Sequence, residues 1–155
     1  MHPANYIIRN AAPADIDDMT GLLKQLFALE KDFVFDPEKQ QRGLRMMLDG
    51  CGKHRALKVA QSGTRVVGMC SAQTRISTAQ GNITAVVEDL VVDRHFRNRG
   101  IGCALLNAVC TWADSRGISF LSLLADRDNT SAVDFYLRHQ WGETNLICLT
   151  QNTRL

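Results

Sequence analysis

The most constraining part of the sequence is VEDLVVDRHFRNRGIGCALLNAV, residues 87–109, where an apolar strand-like run enters a basic loop and then a helix. Arg94, Arg97 and Arg99 lie in the loop, and glycines flank Ile101. The first amides of a helix have no intrahelical partner and carry partial positive charge, and glycine lets an anion approach the backbone. Arginines add charge-assisted contacts to phosphate. The stretch therefore predicts a phosphate-binding turn, with a tight turn and solvated arginines as the alternative.

The rest of the chain divides into strand-like and helix-like segments. Apolar and β-branched runs predict strands at 6–11, 55–60, 65–77, 83–92, 118–125 and 145–150. Apolar spacings of three and four, with proline near the start or glycine near the end, predict helices at 13–30, 36–50, 100–117 and 130–139. Short turns between the strands from 55 to 92 indicate antiparallel pairing, whereas a helical crossover indicates parallel pairing. We therefore expect an α/β (α+β) fold with a mixed, mostly antiparallel central sheet of about six or seven strands and helices on both faces.

Length and composition favour one ordinary globular domain, residues 1–155, because 45% of the residues are hydrophobic and 22% are charged. No apolar run approaches the roughly 18 residues that span a bilayer, and no secretory signal is apparent. The five cysteines fit neither a disulfide framework nor a zinc pattern. We expect a cytoplasmic protein without metal or membrane partner. A net charge of +2 gives no reason to expect a nucleic-acid partner.

Two familiar nucleotide sites fit the basic loop poorly. The chain contains no Gly-x-x-x-x-Gly-Lys-Ser/Thr motif, which excludes a P-loop. Asp126 follows the next strand about where a dinucleotide site has its ribose-binding acid, but Leu105 stands where the third glycine belongs. Fewer than 30 residues follow Asp126, too few to complete a doubly wound sheet.

The loop instead resembles the acyl-CoA-binding motif of the GNAT N-acetyltransferase superfamily, Arg/Gln-x-x-Gly-x-Gly/Ala after a strand, here residues 97–102. The similarity continues into LLADRDNTSAVDFYLRHQW, with the family's asparagine at Asn129 and its tyrosine at Tyr136. Element order also agrees from residue 6 to about 150, so the resemblance covers nearly the whole chain.

The resemblance implies that acetyl-CoA, the acyl donor, lies where the strand 83–92 splays from the strand 118–125. The backbone of the first strand would pair with pantetheine, the amides of the loop would hold the pyrophosphate, and Asn129 would contact the pantetheine arm. The implied cofactor-binding residues are Leu90, Val91, Val92, Arg97, Asn98, Arg99, Gly100, Ile101, Gly102, Cys103, Ala104 and Asn129.

Two side chains are candidates for proton transfer. An alkyl amine is mostly protonated at neutral pH, so a base must deprotonate it. Glu88 is the candidate base, and alternation along the strand puts it on one face with Val86, Leu90 and Val92. Asp89 would then point the other way in a structural role. The family position makes the Tyr136 phenol the candidate proton donor to the departing thiolate. Packing is the alternative for Tyr136, and a contact with solvent or a neighbouring loop is the alternative for Glu88.

The sequence thus predicts an acetyl-CoA-dependent N-acetyltransferase acting directly on a primary amine of a small molecule or a peptide. A non-catalytic acyl-CoA sensor on the same fold is the main alternative, and a partner-binding module with a vestigial groove is a weaker one. A homodimer is expected from the resemblance only. One departure from the family is Gln140-Trp141 in place of Gly-Phe, which predicts that the left-handed cap after the last helix is missing.

Overall fold

The computed structural model describes residues 5–50 and 52–154. The chain forms two compact units, residues 1–123 and residues 124–155. The first unit holds the sheet and three of the α-helices, and the second holds the last helix. That residues 1–155 act as one domain stays a prediction.

The sheet lies wholly in the first unit. Its strands are β1 (Ile7–Asn10), β2 (Arg55–Ser62), β3 (Arg65–Ser77), β4 (Asn82–Val92) and β5 (Leu121–Leu123). They are ordered β1-β2-β3-β4-β5, with antiparallel pairs except for the parallel pair β4–β5. This confirms the mixed, mostly antiparallel sheet.

The predicted number of strands was too high, since the described residues contain five. The segment 145–150 forms no strand, and β5 occupies only the middle of the predicted 118–125. Apolar, β-branched residues suit a strand, but a strand also needs a partner at its edge, which residue type does not specify.

The helices are α1 (Ile16–Leu29), α2 (Pro37–Asp49), α3 (Ile101–Asp114) and α4 (Thr130–Arg138). Asp36 caps α2 by accepting hydrogen bonds from the amides of Glu38 and Lys39 at 3.1 and 3.3 Å. After α3, Gly117 has a φ of 69°, and this confirms glycine as the residue that closes the helix. Within the described ranges, no helix is both long and apolar enough to cross a membrane.

Helices cover both faces of the sheet in the first unit. The face with α1 and α2 holds a buried core made of Met19, Leu22, Leu23, Leu44, Leu57, Val59, Val66, Met69 and Val91. Gly68 precedes Met69 in β3 and so faces the other side, where a β-carbon on it would lie 3.0 Å from Leu105 of α3. The sheet therefore separates an α1/α2 layer from an α3 layer.

Candidate active site

A β-bulge interrupts β4 next to the candidate base. Glu88 is opposite Ser71 of β3, and Val91 is opposite Met69, so two residues of β4 face Cys70 alone. Asp89, the first residue of the bulge, has a φ of 54° in the left-handed region. Aspartate tolerates this conformation better than most residues. The bulge therefore changes which face of the sheet the following side chains of β4 occupy.

The bulge corrects the predicted orientation of three residues. Ser71 and Met69 share a face of β3, so Glu88 and Val91 share the α1/α2 face of β4. Leu90 and Val92 consequently face the α3 side, not the side of Glu88. Asp89, expected on the opposite face from Glu88, lines the same cavity.

That cavity lies between the sheet and the helices α1 and α2 and has a volume of about 330 Å³. Apolar side chains form much of its wall, and charged groups of both signs lie along it. Its lining residues are Leu23, Phe27, Lys39, Gln40, Gly43, Leu44, Met46, Met47, Arg55, Gln73, Glu88 and Asp89. An open, mostly apolar cavity with a few polar groups is typical of small-molecule sites.

The two carboxylates of the cavity have different environments. Glu88 is exposed to the solvent. Burial raises the pKa of Asp89 to about 6, and the negative charges of Glu88 and Glu30 act in the same direction. Near pH 6, where an ordinary aspartate is ionised, Asp89 is therefore partly protonated.

The basic loop begins at Asp93, which anchors it to α1. The buried carboxylate of Asp93 accepts hydrogen bonds from the Gln25 side chain at 3.1 Å and from the His95 amide at 2.9 Å. Burial alone would raise the pKa of Asp93, but these hydrogen bonds and the Arg65 guanidinium at 3.8 Å hold it below its ordinary value. An ionised Asp93 therefore fixes the start of the loop.

Two arginines of the loop make contacts with its own backbone. The Arg97 Nε donates to the Val92 carbonyl at 3.0 Å, and an Arg99 amino group donates to the His95 carbonyl at 3.0 Å. The Arg99 guanidinium also lies over the Phe96 ring, 5.1 Å from its centre. Arginine has five N–H donors, so these contacts leave donors of both side chains for an anion.

The turn into α3 uses two left-handed residues, Asn98 with a φ of 60° and Gly100 with a φ of 78°. Gly100 is the N-cap of the helix, and its carbonyl accepts the first helical bond from the Ala104 amide at 3.0 Å. The amides of Ile101, Gly102 and Cys103 lie before that bond and have no intrahelical acceptor. Free amides, the positive end of the helix and the arginines together suit a pyrophosphate. The residues present therefore fit the phosphate end of acetyl-CoA.

Between the cavity and the loop, β4 extends beyond β5. Their parallel pairing runs from Ala85↔Leu121 to Val87↔Leu123. In the described residues β4 then continues to Val92 without β5 beside it, and the cofactor-binding candidates Leu90, Val91 and Val92 lie on this extension. A strand edge of this kind can accept an extended ligand.

In the second unit, α4 carries the other two candidates. The Asn129 side-chain oxygen caps the helix by accepting from the Ala132 amide at 3.2 Å, an arrangement that does not use its NH₂ group. The Tyr136 ring contacts those of Phe135 and Trp141, with centres 5.4 and 5.9 Å away. Their predicted functions remain predictions.

The expected loss of the cap after α4 was wrong. Gln140 itself adopts the left-handed conformation, with a φ of 67°. The next amide, that of Trp141, donates to the Tyr136 carbonyl at 3.1 Å. The backbone therefore closes the helix without glycine, at a cost in conformational strain.

Comparison with known proteins agrees with this architecture. Residues 22–141 match the Acetyltransferase (GNAT) family. The chain belongs to the GNAT acetyltransferase family. An uncharacterized N-acetyltransferase of Methanocaldococcus jannaschii is 27% identical over 146 residues, which are 92% of this chain and 63% of that protein. The chain thus spans less than two thirds of this relative.

Solved structures show the same GNAT fold. A transcriptional regulator from Bacillus halodurans has a TM-score of 0.81 at 24% identity, over 96% of this chain and 99% of its own. An aminoglycoside N-acetyltransferase solved in complex with CoA also has a TM-score of 0.81, at 20% identity, over 96% and 95% of the two chains. The family match confirms the predicted family, and these likenesses confirm the predicted fold.

The sequence did not predict that Asp89 and Arg55 line the cavity of this GNAT protein. Alternation along β4 assigned Asp89 to the wrong face, because a bulge leaves no mark in a strand that is apolar on both faces. Arg55 begins β2 and reaches the cavity only through strand pairing. Consecutive acids inside a buried strand were the one available signal. In the described part of the chain, no group of three or more potential metal-binding side chains occurs.

Proposed function

We propose that the protein is an acetyl-CoA-dependent N-acetyltransferase whose acceptor is a primary amine, on a small molecule or a peptide. One observation carries the proposal. The extension of β4 beyond β5 joins a cavity that contains Glu88 to a helix start with glycines and arginines. An acceptor site and an anion site on one strand suit the transfer of a group from a long, phosphate-bearing donor.

The donor is held mainly by backbone groups. The amides of residues 97–104 and the side chains of Arg97 and Arg99 bind the pyrophosphate, and the edge of β4 at 90–92 pairs with the pantetheine arm. Asn129 contributes a contact to that arm through its NH₂ group, which its helix cap does not use.

The reaction is a direct displacement. Glu88 removes a proton from the ammonium of the acceptor, directly or through water, and the freed nitrogen lone pair attacks the thioester carbonyl. The new C–N bond forms as the C–S bond breaks, and the thiolate takes a proton from the Tyr136 phenol. The second proton that the nitrogen loses returns, through water, to the phenolate of Tyr136. The relatives support a small-molecule acceptor, since aminoglycoside and glucosamine-6-phosphate acetyltransferases share the fold.

An acceptor screen tests this proposal. Thiol release from acetyl-CoA is followed with amino sugars, aminoglycosides, polyamines, amino acids and peptides, and acetyl-CoA binding is measured by calorimetry. We expect turnover with at least one amine. Binding of acetyl-CoA without turnover of any amine would identify the protein as a sensor and overturn the proposal.

Tyr136→Phe tests the proton donor separately. We expect about a tenfold lower kcat and an unchanged dissociation constant for acetyl-CoA, because the variant loses only the phenolic hydroxyl group. An unchanged kcat would remove Tyr136 from the mechanism. Location in the cytoplasm and a homodimer belong to the same proposal, and light scattering of the purified protein tests the dimer.

A further inference from the structure

We infer that the acceptor carries an anionic group in addition to its amine, with an apolar segment between the two. This inference rests on the proposed function and specifies its substrate class. It comes from the charges along the cavity, where Glu88 and Asp89 lie on β4 while Arg55 lies on β2 and Lys39 on α2.

The opposite charges of the cavity do not neutralise one another. In the described part of the chain, no ion pair or hydrogen bond joins Glu88 or Asp89 to Arg55 or Lys39. The Lys39 Nζ lies 4.0 Å from a carboxylate oxygen of Asp36 instead, and the Lys39 side chain is largely exposed. A ligand with charges at both ends would bring each group of the cavity a partner of opposite sign.

Strand pairing fixes the separation of the two ends. Arg55 is opposite Gln73, which is opposite Val86, and Glu88 lies two residues further along β4. Two strand spacings and two residues correspond to about 12 Å between the α-carbons of Arg55 and Glu88. A ligand that contacts both side chains therefore carries its two charges at separate ends.

Arg55 is held in position for such a contact. One of its amino groups donates to the Met46 carbonyl at 2.8 Å, near the end of α2. Its guanidinium packs so closely on Gly50 that a methyl group there would overlap it. A fixed cation loses little freedom on binding, and four of its five N–H donors remain beyond this hydrogen bond.

The cavity also has apolar lining. Leu23 and Phe27 of α1 and Leu44 and Met47 of α2 contribute to it. Hydrocarbon on these side chains would be stabilised by removal from water, whereas a second ammonium group at the Arg55 end would meet a like charge. The cavity therefore favours an amine with an acid over a diamine.

Three probes with the same six-carbon chain test this inference. 6-Aminohexanoate, hexylamine and 1,6-diaminohexane have a negative, a neutral and a positive end, respectively. We expect kcat/KM to fall in that order, with about a tenfold advantage of the amino acid over hexylamine from the charged contact. Equal values for the three, or the highest value for the diamine, would overturn the inference.

Arg55→Gln and Arg55→Lys attribute the preference to this residue. Arg55→Gln should abolish the advantage of 6-aminohexanoate over hexylamine, whereas Arg55→Lys should retain part of this advantage. Thermal unfolding of the variants is the control for a purely structural function of Arg55. Such a function would lower Tm and reduce the rates with all three probes equally. That result would contradict the inference.

The outcome also separates this inference from the proposed function. Turnover of hexylamine without any preference for the acid leaves an acetyltransferase with a different acceptor. If neither these probes nor the wider amine screen shows turnover, the proposed function itself fails.

Discussion

The proposed donor loop, residues 93–104, and the proposed acceptor cavity lie at the two ends of the same stretch of β4 and are built differently. The loop is one continuous segment whose chemistry comes from backbone amides, glycine conformations and two arginines. The cavity takes side chains from two helices and three strands. The binding properties of the loop therefore depend on a single segment of the chain, whereas those of the cavity depend on every element that lines it. Four experiments test this difference.

The largest effect is expected for Glu88→Gln, in the cavity. The variant keeps the size of the side chain and loses the base, so kcat should fall about 100-fold. The dissociation constant for acetyl-CoA should stay within about twofold, because the loop is separate. Steady-state kinetics and calorimetry measure the two effects, and Asp114→Asn on the exposed surface of α3 is the control. A weakened affinity for acetyl-CoA would show that the two regions are coupled.

Asp89→Asn tests whether the cavity holds a destabilising carboxylate. Its pKa is about 6 in the folded protein, and about 4 is usual for an unfolded chain. Between these values only the folded state keeps the proton, so stability falls as pH rises through the window and the loss is complete above pH 6.

The asparagine variant cannot ionise and tolerates the left-handed backbone at position 89. We expect its free energy of unfolding to exceed that of the parent by up to about 3 kcal/mol at pH 8, with little difference at pH 4. Urea unfolding at both pH values measures this. A parent that is as stable as the variant at pH 8 would show that the Asp89 charge is well solvated.

The same difference explains what the sequence could predict. The backbone at positions 100 and 117 adopts a positive φ, a conformation that favours glycine. Such requirements are local, so the helix boundaries and the donor loop were predictable. Asp89 and Arg55 depend on a bulge and on pairing between distant strands. No local pattern encodes those, so the positions of these two residues in the cavity followed only from the structure.

A glycine pair tests the donor loop. Gly100→Ala and Gly117→Ala both place a β-carbon on a left-handed residue, with φ of 78° and 69°. Neither methyl group meets an atom closer than 3.8 Å, so each variant should lose about 1 kcal/mol through backbone strain alone. Only Gly100→Ala should weaken acetyl-CoA binding, by about tenfold, because its strain moves the amides of the helix start. Equal affinity in both variants would remove the loop from the donor site.

The smallest effect is expected from a second glycine pair, inside the helices α1 and α2. Gly21 and Gly43 each have no neighbouring atom within 4 Å of an added β-carbon. Alanine should stabilise either helix by about 0.5–1 kcal/mol because it restricts the unfolded chain.

Gly43 lines the cavity, so its new methyl group narrows the space for the acceptor. Gly21→Ala should leave all kinetic constants unchanged, while Gly43→Ala should change the KM of the acceptor by about twofold and leave that of acetyl-CoA alone. Two variants with equal gains in stability but different acceptor KM values would locate the acceptor in this cavity, and identical kinetics would place it elsewhere.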